Sequence, residues 1–175
     1  MQIATQPIIN TERLTLRELC HDDLAFVTEL LGDAEVTRFH ASPYSPEEAS
    51  AWLERQLDLY QDGKHGMWLV LNRKSGRPVG LVGLVPQTVD GVSETELVYL
   101  IHRKHWRHGY ATEAAFAVRS LARDRYGYSR VISIIDPDNL PSQGVARRLG
   151  MQAKRTLVWN GVQHTMFAAS LVASD

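Results

Sequence analysis

The stretch Glu94–Arg125, ETELVYLIHRKHWRHGYATEAAFAVRSLARDR, decides the fold. Tyr99, Leu100 and Ile101 end a strand, and His102 to His108 form a basic turn. The apolar positions Ala111, Ala114, Ala115, Val118, Leu121 and Ala122 then recur at helical spacing. Gly109 stands where the backbone must turn tightly and approach a neighbour closely, which a Cβ would obstruct. A helix start offers unpaired N–H groups and the positive end of the helix dipole, and both attract phosphate. Arg103, Lys104 and Arg107 add positive charge, and no acid lies between His102 and His108. The expectation is a pyrophosphate cradle at the head of a central helix. Its backbone donors run from Arg107 through His108, Gly109, Tyr110 and Ala111 to Thr112. Glu113, an acid in the first turn, would compete with phosphate for that field. Its side chain is expected to point sideways and cap or pair structurally.

Working outward, Arg13 to Leu19 reads as an early half-buried strand, and Leu24 to Leu31 as a helical stripe closed by Gly32. Ser45-Pro46-Glu47-Glu48 is a strong helix start, with a capping serine, proline at the first position and acids in the first turn. Met67–Leu71 and Val79–Val85 read as a hairpin, and Glu94–Ile101 is reached through the Asp90-Gly91 turn. Arg130–Ile135 is a β-branched strand, and Leu140–Leu149 a short helix ended by Gly150. Met151–Trp159 and Gln163–Leu171 flank Asn160-Gly161, a pair that favours the type I′ hairpin turn. This is an α+β pattern. It predicts a mixed, mostly antiparallel sheet flanked by helices, with a strand–helix–strand crossover around the basic turn.

The chain has 175 residues, consistent with one domain over 1–175 with a sizeable core. With 19 basic and 20 acidic residues, no global charge asks for nucleic acid or a membrane surface. Cys20 is the only cysteine, which excludes an internal disulfide and suits a reducing cytoplasm. The opening MQIATQPIIN lacks the basic start and apolar core of a signal peptide, and no run approaches a membrane span. A cytoplasmic location is expected. His102, His105 and His108 recur at three-residue spacing, but their basic neighbours would repel a metal ion, so no metal is expected. Cys20 reads as an inert thiol, and Trp52 and Tyr60 as packing residues.

Four segments taken together, Glu96-Leu97-Val98-Tyr99, His108 to Ala114, Asn139-Leu140-Pro141-Ser142 and Arg148-Leu149-Gly150-Met151, resemble the GNAT acetyltransferases. More narrowly they resemble the Rim-type branch, which acetylates protein N-termini and related amines. The opening Thr11 to Arg17 is similar to that branch's first strand. The superfamily's cofactor loop has Gln or Arg three residues before its first glycine, where this chain has Trp106. The branch often departs there in the same way. Where the branch often has glycine, this chain has Val98.

The resemblance implies transfer of acetyl from acetyl-CoA to a primary amine, a protein N-terminus or a small molecule, by direct transfer in a ternary complex. Glu96 is the first candidate for the base and Glu94 the second. The two share one face of the strand, and a buried carboxylate there could take the ammonium proton directly or through a water. The competing reading is an edge-strand acid in water. A backbone N–H near Val98, Tyr99 and Leu100, with Ile101 following, would hold the oxyanion. Ser142 would hydrogen-bond the leaving thiolate, unless it is only a helix cap or first-turn serine of the short helix. Asn139 would orient the pantetheine arm and the turn, and Arg148 could reach the outer phosphates. The acceptor pocket is expected between the Asp33–Tyr44 segment, the end of the Glu94 strand and the Trp159-Asn160-Gly161 turn, with Asp33 and Glu35 as acids that could attract an amine. Dimerisation through the last hairpin is an option the resemblance carries. A catalytically silent acyl-CoA-binding module on the same fold is the alternative.

Overall fold

The computed structural model describes residues 6–40 and 42–172. The reading of the first five residues therefore lies outside the described residues, as does Ala41 within the expected acceptor segment. Eight strands form one sheet: β1 (Pro7–Asn10), β2 (Leu14–Arg17), β3 (Met67–Asn72), β4 (Pro78–Val89), β5 (Val92–Ile101), β6 (Arg130–Ile135), β7 (Gln152–Trp159) and β8 (Val162–Ser170). Their order is β1-β2-β3-β4-β5-β6-β8-β7. Every pairing is antiparallel except β5 with β6. Four α-helices flank it: α1 (Leu24–Gly32), α2 (Pro46–Gln61), α3 (Tyr110–Asp124) and α4 (Leu140–Arg148). The expected α+β architecture is the one observed, and its parallel crossover runs through α3.

Local chemistry sets these elements. Asp90-Gly91 and Asn160-Gly161 all take positive φ, at 49°, 77°, 49° and 78°, the conformation a type I′ turn needs. The first turn fixes the β4–β5 register, with Gln87 opposite Glu94 and Val85 opposite Glu96. At the start of α2, Ser45 Oγ accepts from Glu48 N–H while the Glu48 carboxylate accepts from Ser45 N–H, a reciprocal cap. The addition to the sequence reading is β1, a four-residue strand pairing Ile9 with Leu16 and Asn10 with Thr15. It is too short to show a period and opens on a proline, which only an edge position tolerates.

The sheet buries both faces. Leu97 and Ile101 of β5 pack with Ala114, Ala115 and Val118 of α3, and with Val145 and Ala146 of α4. Val98 and Leu100 face the opposite way, onto the core built from α1 and α2 with Leu81 and Met67. Alternation along β5 therefore puts Glu94, Glu96, Val98 and Leu100 on the α1–α2 face.

Candidate active site

The site lies where β5 and β6 separate. Parallel pairing between them is registered at Glu96 and Ile132. One residue further, the strands are bridged by a side chain: Ser133 Oγ donates to the Leu97 carbonyl at 2.6 Å. Leu97 therefore turns its backbone groups toward the gap, and alternation turns the Tyr99 N–H the same way. An N–H that faces a gap between strands can donate to an oxyanion.

Glu96 occupies the fork of that gap. Its Oε1 accepts from Ile134 N–H at 3.1 Å, supplying the acceptor that the departing strand no longer offers. Its Oε2 accepts from Gln87 Nε2 at 2.8 Å. The residue is 8% exposed, which excludes the reading of an edge-strand acid in water. Burial pushes its carboxyl above the usual carboxylate range, against the lowering effect of Ile134, Gln87 and the nearby His164. Glu94 shares the face but pairs with Arg130 at 3.1 Å. Of the two acids, only Glu96 is buried. The role of Gln87 was missed in the sequence, although the Asp90-Gly91 register puts it diagonal to Glu96 on the same face.

The basic turn is wired to its surroundings. Gly109 caps α3 at φ 77°, where a side chain would be strained, and Arg107, two residues earlier, shares that region at φ 62°. Trp106 Nε1 donates to the Ile101 carbonyl at 2.7 Å, which pins the loop to the end of β5. Arg103 and Lys104 sit in a 3₁₀ turn and face α1, where Arg103 Nε pairs with Asp33 at 2.8 Å and Lys104 with Glu29 at 3.4 Å. Both acids thus have partners inside the protein. Arg107 is exposed and has no ion-pair partner among the described residues. Glu113 turns aside, as expected, to Arg13 Nε at 2.6 Å and Thr11 Oγ1 at 2.5 Å. His102 is 4% exposed and is held by Glu29 and the Lys104 N–H. Among the described residues no cluster of His, Cys, Asp and Glu suits a metal ion.

The α4 start closes the site from the other strand. Asn139 Oδ1 accepts from Ser142 N–H at 3.2 Å, so the cap is Asn139 and not Ser142. The Tyr99 hydroxyl donates to the Ser142 carbonyl at 2.7 Å, joining β5 to α4 across the gap. Burial, then the Glu96 charge, pushes the Tyr99 phenol up, so it remains a donor. Ser142 Oγ has no hydrogen-bond partner among the described residues and is half-buried. Arg148 lies exposed in the last turn of α4, beside Gly144.

On the α1–α2 face a cavity of about 140 Å³ lies beside β5. Leu31, Trp52, Met67, Leu81, Val98 and Leu100 supply its apolar wall, with Thr37, His40 and Tyr44 contributed by the expected acceptor segment. Trp159 packs elsewhere, with Val89 and Ile132 under the last hairpin.

A family model described as an acetyltransferase (GNAT) domain matches residues 13–152. The chain belongs to the GNAT acetyltransferase family and is an N-acetyltransferase of that family. It is 28% identical over 152 residues to the uncharacterized protein YkkB of Bacillus subtilis (strain 168), covering 86% of this chain and 88% of that one. It is 28% identical over 153 residues to the uncharacterized N-acetyltransferase YoaA of the same organism, covering 86% of each. An acetyltransferase from Agrobacterium tumefaciens str. C58 shares the fold at a TM-score of 0.81 and 24% identity, over 97% of this chain and 95% of that one. A RimL ribosomal L7/L12 α-N-protein acetyltransferase solved with coenzyme A shares it at 0.78 and 17% identity, over 94% and 98%. Acetyl-CoA-dependent transfer to amines is general for the family. Among the described residues no helix is long and apolar enough to cross a membrane.

The residues at the basic turn fit the pyrophosphate of that co-substrate. Gly109 turns the backbone through a left-handed conformation beside the Arg13 guanidinium, and the start of the 15-residue α3 presents its first N–H groups there. Arg107 supplies an uncommitted cation.

Proposed function

We propose that residues 1–175 act as one Rim-type domain that moves acetyl from acetyl-CoA to a primary amine by direct transfer in a ternary complex. The observation that carries this reading is Glu96, a buried carboxylate with raised pKa in the fork between β5 and β6. Acetyl-CoA supplies an activated thioester; the protein binds it, orients it and moves protons. N–H groups from Arg107 to Thr112 and the Arg107 guanidinium hold the pyrophosphate. Glu96 takes a proton from the ammonium, freeing the nitrogen lone pair for attack on the acyl carbon. The Tyr99 N–H meets the negative charge that develops on the acyl oxygen. As the carbon–sulfur bond breaks, the Ser142 hydroxyl donates a hydrogen bond to the departing sulfur. The amide nitrogen loses its surplus proton to solvent, the released thiolate takes one up from solvent, and Glu96 returns its own, so one proton is released overall. Holding both reactants in one complex lowers the entropic barrier to their meeting.

Initial rates with both substrates varied test the reading. Intersecting double-reciprocal lines are expected for transfer in a ternary complex. Parallel lines would mean a covalent acetyl-enzyme and would overturn it.

A further inference from the structure

The cavity beside β5 says which amine this chain takes. Glu96 stands directly opposite Val85 on β4 and two residues before Val98 on the same face, and both valines line the cavity. A carboxylate able to accept a proton from an ammonium therefore neighbours, on the same sheet face, two valines of an apolar hollow. Two of the polar side chains in the wall are already engaged. Thr37 Oγ1 donates to the Asp33 carbonyl at 2.9 Å, and Gln56 Oε1 accepts from Met67 N–H at 2.8 Å. Apart from the His40 imidazole and the Tyr44 hydroxyl, the rest is hydrocarbon and aromatic ring.

Charge points the same way. Glu29 is paired with His102 and Lys104, Asp33 with Arg103, and Glu94 with Arg130. In the loop between α1 and α2, Glu35 is then the one acid without a side-chain partner among the described residues. A polyamine or aminoglycoside carries several ammonium groups, each of which needs a carboxylate to replace its water. The frame of this cavity offers one in the fork and no array. The volume sets the size of the guest. An apolar cavity of about 150 Å³ is enough to hold a benzene molecule, close to the 140 Å³ found here.

We propose that the acceptor is a small primary amine carrying one compact hydrocarbon group, a branched alkyl or a single ring, which fills this cavity while the amine faces Glu96. The inference rests on the acetyl-transfer reading above. It excludes polycationic acceptors as the preferred substrates, and it makes Trp52 a residue that sets the size of the side group.

The test is a matched panel of amines at fixed acetyl-CoA, scored as kcat/KM from thiol release: ethylamine, 3-methylbutylamine, 2-phenylethylamine, 2-(1-naphthyl)ethylamine and spermidine. The two compact hydrocarbon amines are expected to exceed both ethylamine and spermidine by at least about tenfold, the scale of discrimination a hydrophobic pocket gives for small changes in apolar bulk. In Trp52→Ala the optimum is expected to move to the naphthyl amine. Spermidine or ethylamine equal to the hydrocarbon amines would overturn the inference and leave the transfer reading intact. Stabilisation by acetyl-CoA without transfer to any amine would overturn both. The wild-type panel decides the case without the variant, so poor folding of Trp52→Ala would not rescue the proposal.

Discussion

Arg13 Nε donates to Glu113 Oε2 at 2.6 Å, tying the residue before β2 to the first turn of α3. The same guanidinium donates from Nη1 to the His108 carbonyl at 2.9 Å and lies 4.8 Å over the Tyr110 ring. Arg13 thus offsets the one acid that would repel phosphate at the helix start and holds the loop on either side of Gly109. Arg13→Ala is expected to weaken acetyl-CoA about tenfold in direct titration while changing kcat at saturation far less. Arg13→Lys should recover only part of the loss, because an ammonium cannot serve the carboxylate, the carbonyl and the ring together. Unchanged affinity in Arg13→Ala would remove the loop-holding role.

Ser142 uses only its backbone to hold the structure: its N–H goes to Asn139 and its carbonyl receives Tyr99. Ser142→Ala is therefore a clean probe of the hydroxyl. It should lower kcat by about tenfold, with stability within about 0.5 kcal/mol of wild type. Tyr99→Phe should do the reverse. It removes the hydrogen bond that joins β5 to the start of α4 and is expected to cost about 0.5–1.5 kcal/mol in denaturant unfolding.

Asp23 closes a fork with Arg17 at 2.8 Å on both oxygens and also accepts from Cys20 N–H at 2.9 Å. Burial alone would raise this carboxyl, but Arg17 and the Cys20 N–H outweigh it and hold it below the usual range. A depressed folded-state pKa adds stability above the ordinary carboxylate value, and that stability is lost as pH falls through the depressed one. Asp23→Ala should cost about 3 kcal/mol at neutral pH, with the difference from wild type shrinking in acid. A constant difference down to strongly acid pH would contradict the ion-pair account.

Glu96 carries the opposite sign. Its folded-state pKa is raised, so the stability it permits is complete below the ordinary carboxylate value and is lost as pH rises through the raised one. Thermal unfolding of wild type should fall relative to Glu96→Gln as pH climbs through that window. A gap between the two proteins that does not change with pH would deny the burial argument.

Much of the frame was legible because local chemistry and tertiary demand agree. Asp90-Gly91 and Asn160-Gly161 allow the positive φ their turns require, and the α3 stripe matches the face it buries. Gly109 was legible for the same reason. The site was half legible. The strand order of Glu94 and Glu96 says that they share a face, but their difference in burial arises from Arg130 and Ile134, which arrive from another strand. The basic run from Arg103 to Arg107 reads as uniform in sequence. The fold divides it, because α1 brings Glu29 and Asp33 against its first two cations. Of the cavity's wall, the sequence reading reached the Asp33–Tyr44 segment and the end of β5, while the parts supplied by α1, α2, β3 and β4 could not be read.

The most direct measurement is the pH dependence of kcat/KM for acetyl transfer, in wild type and in Glu96→Gln, with the best amine of the panel. A raised carboxyl acting as base predicts a wild-type rate that climbs with pH through a value above the ordinary carboxylate range. In Glu96→Gln that limb should vanish and the rate should drop by about a hundredfold or more, the usual contribution of general base catalysis. An unaltered profile and rate in Glu96→Gln would contradict the account, leaving Glu96 as the residue that holds the fork open and no more.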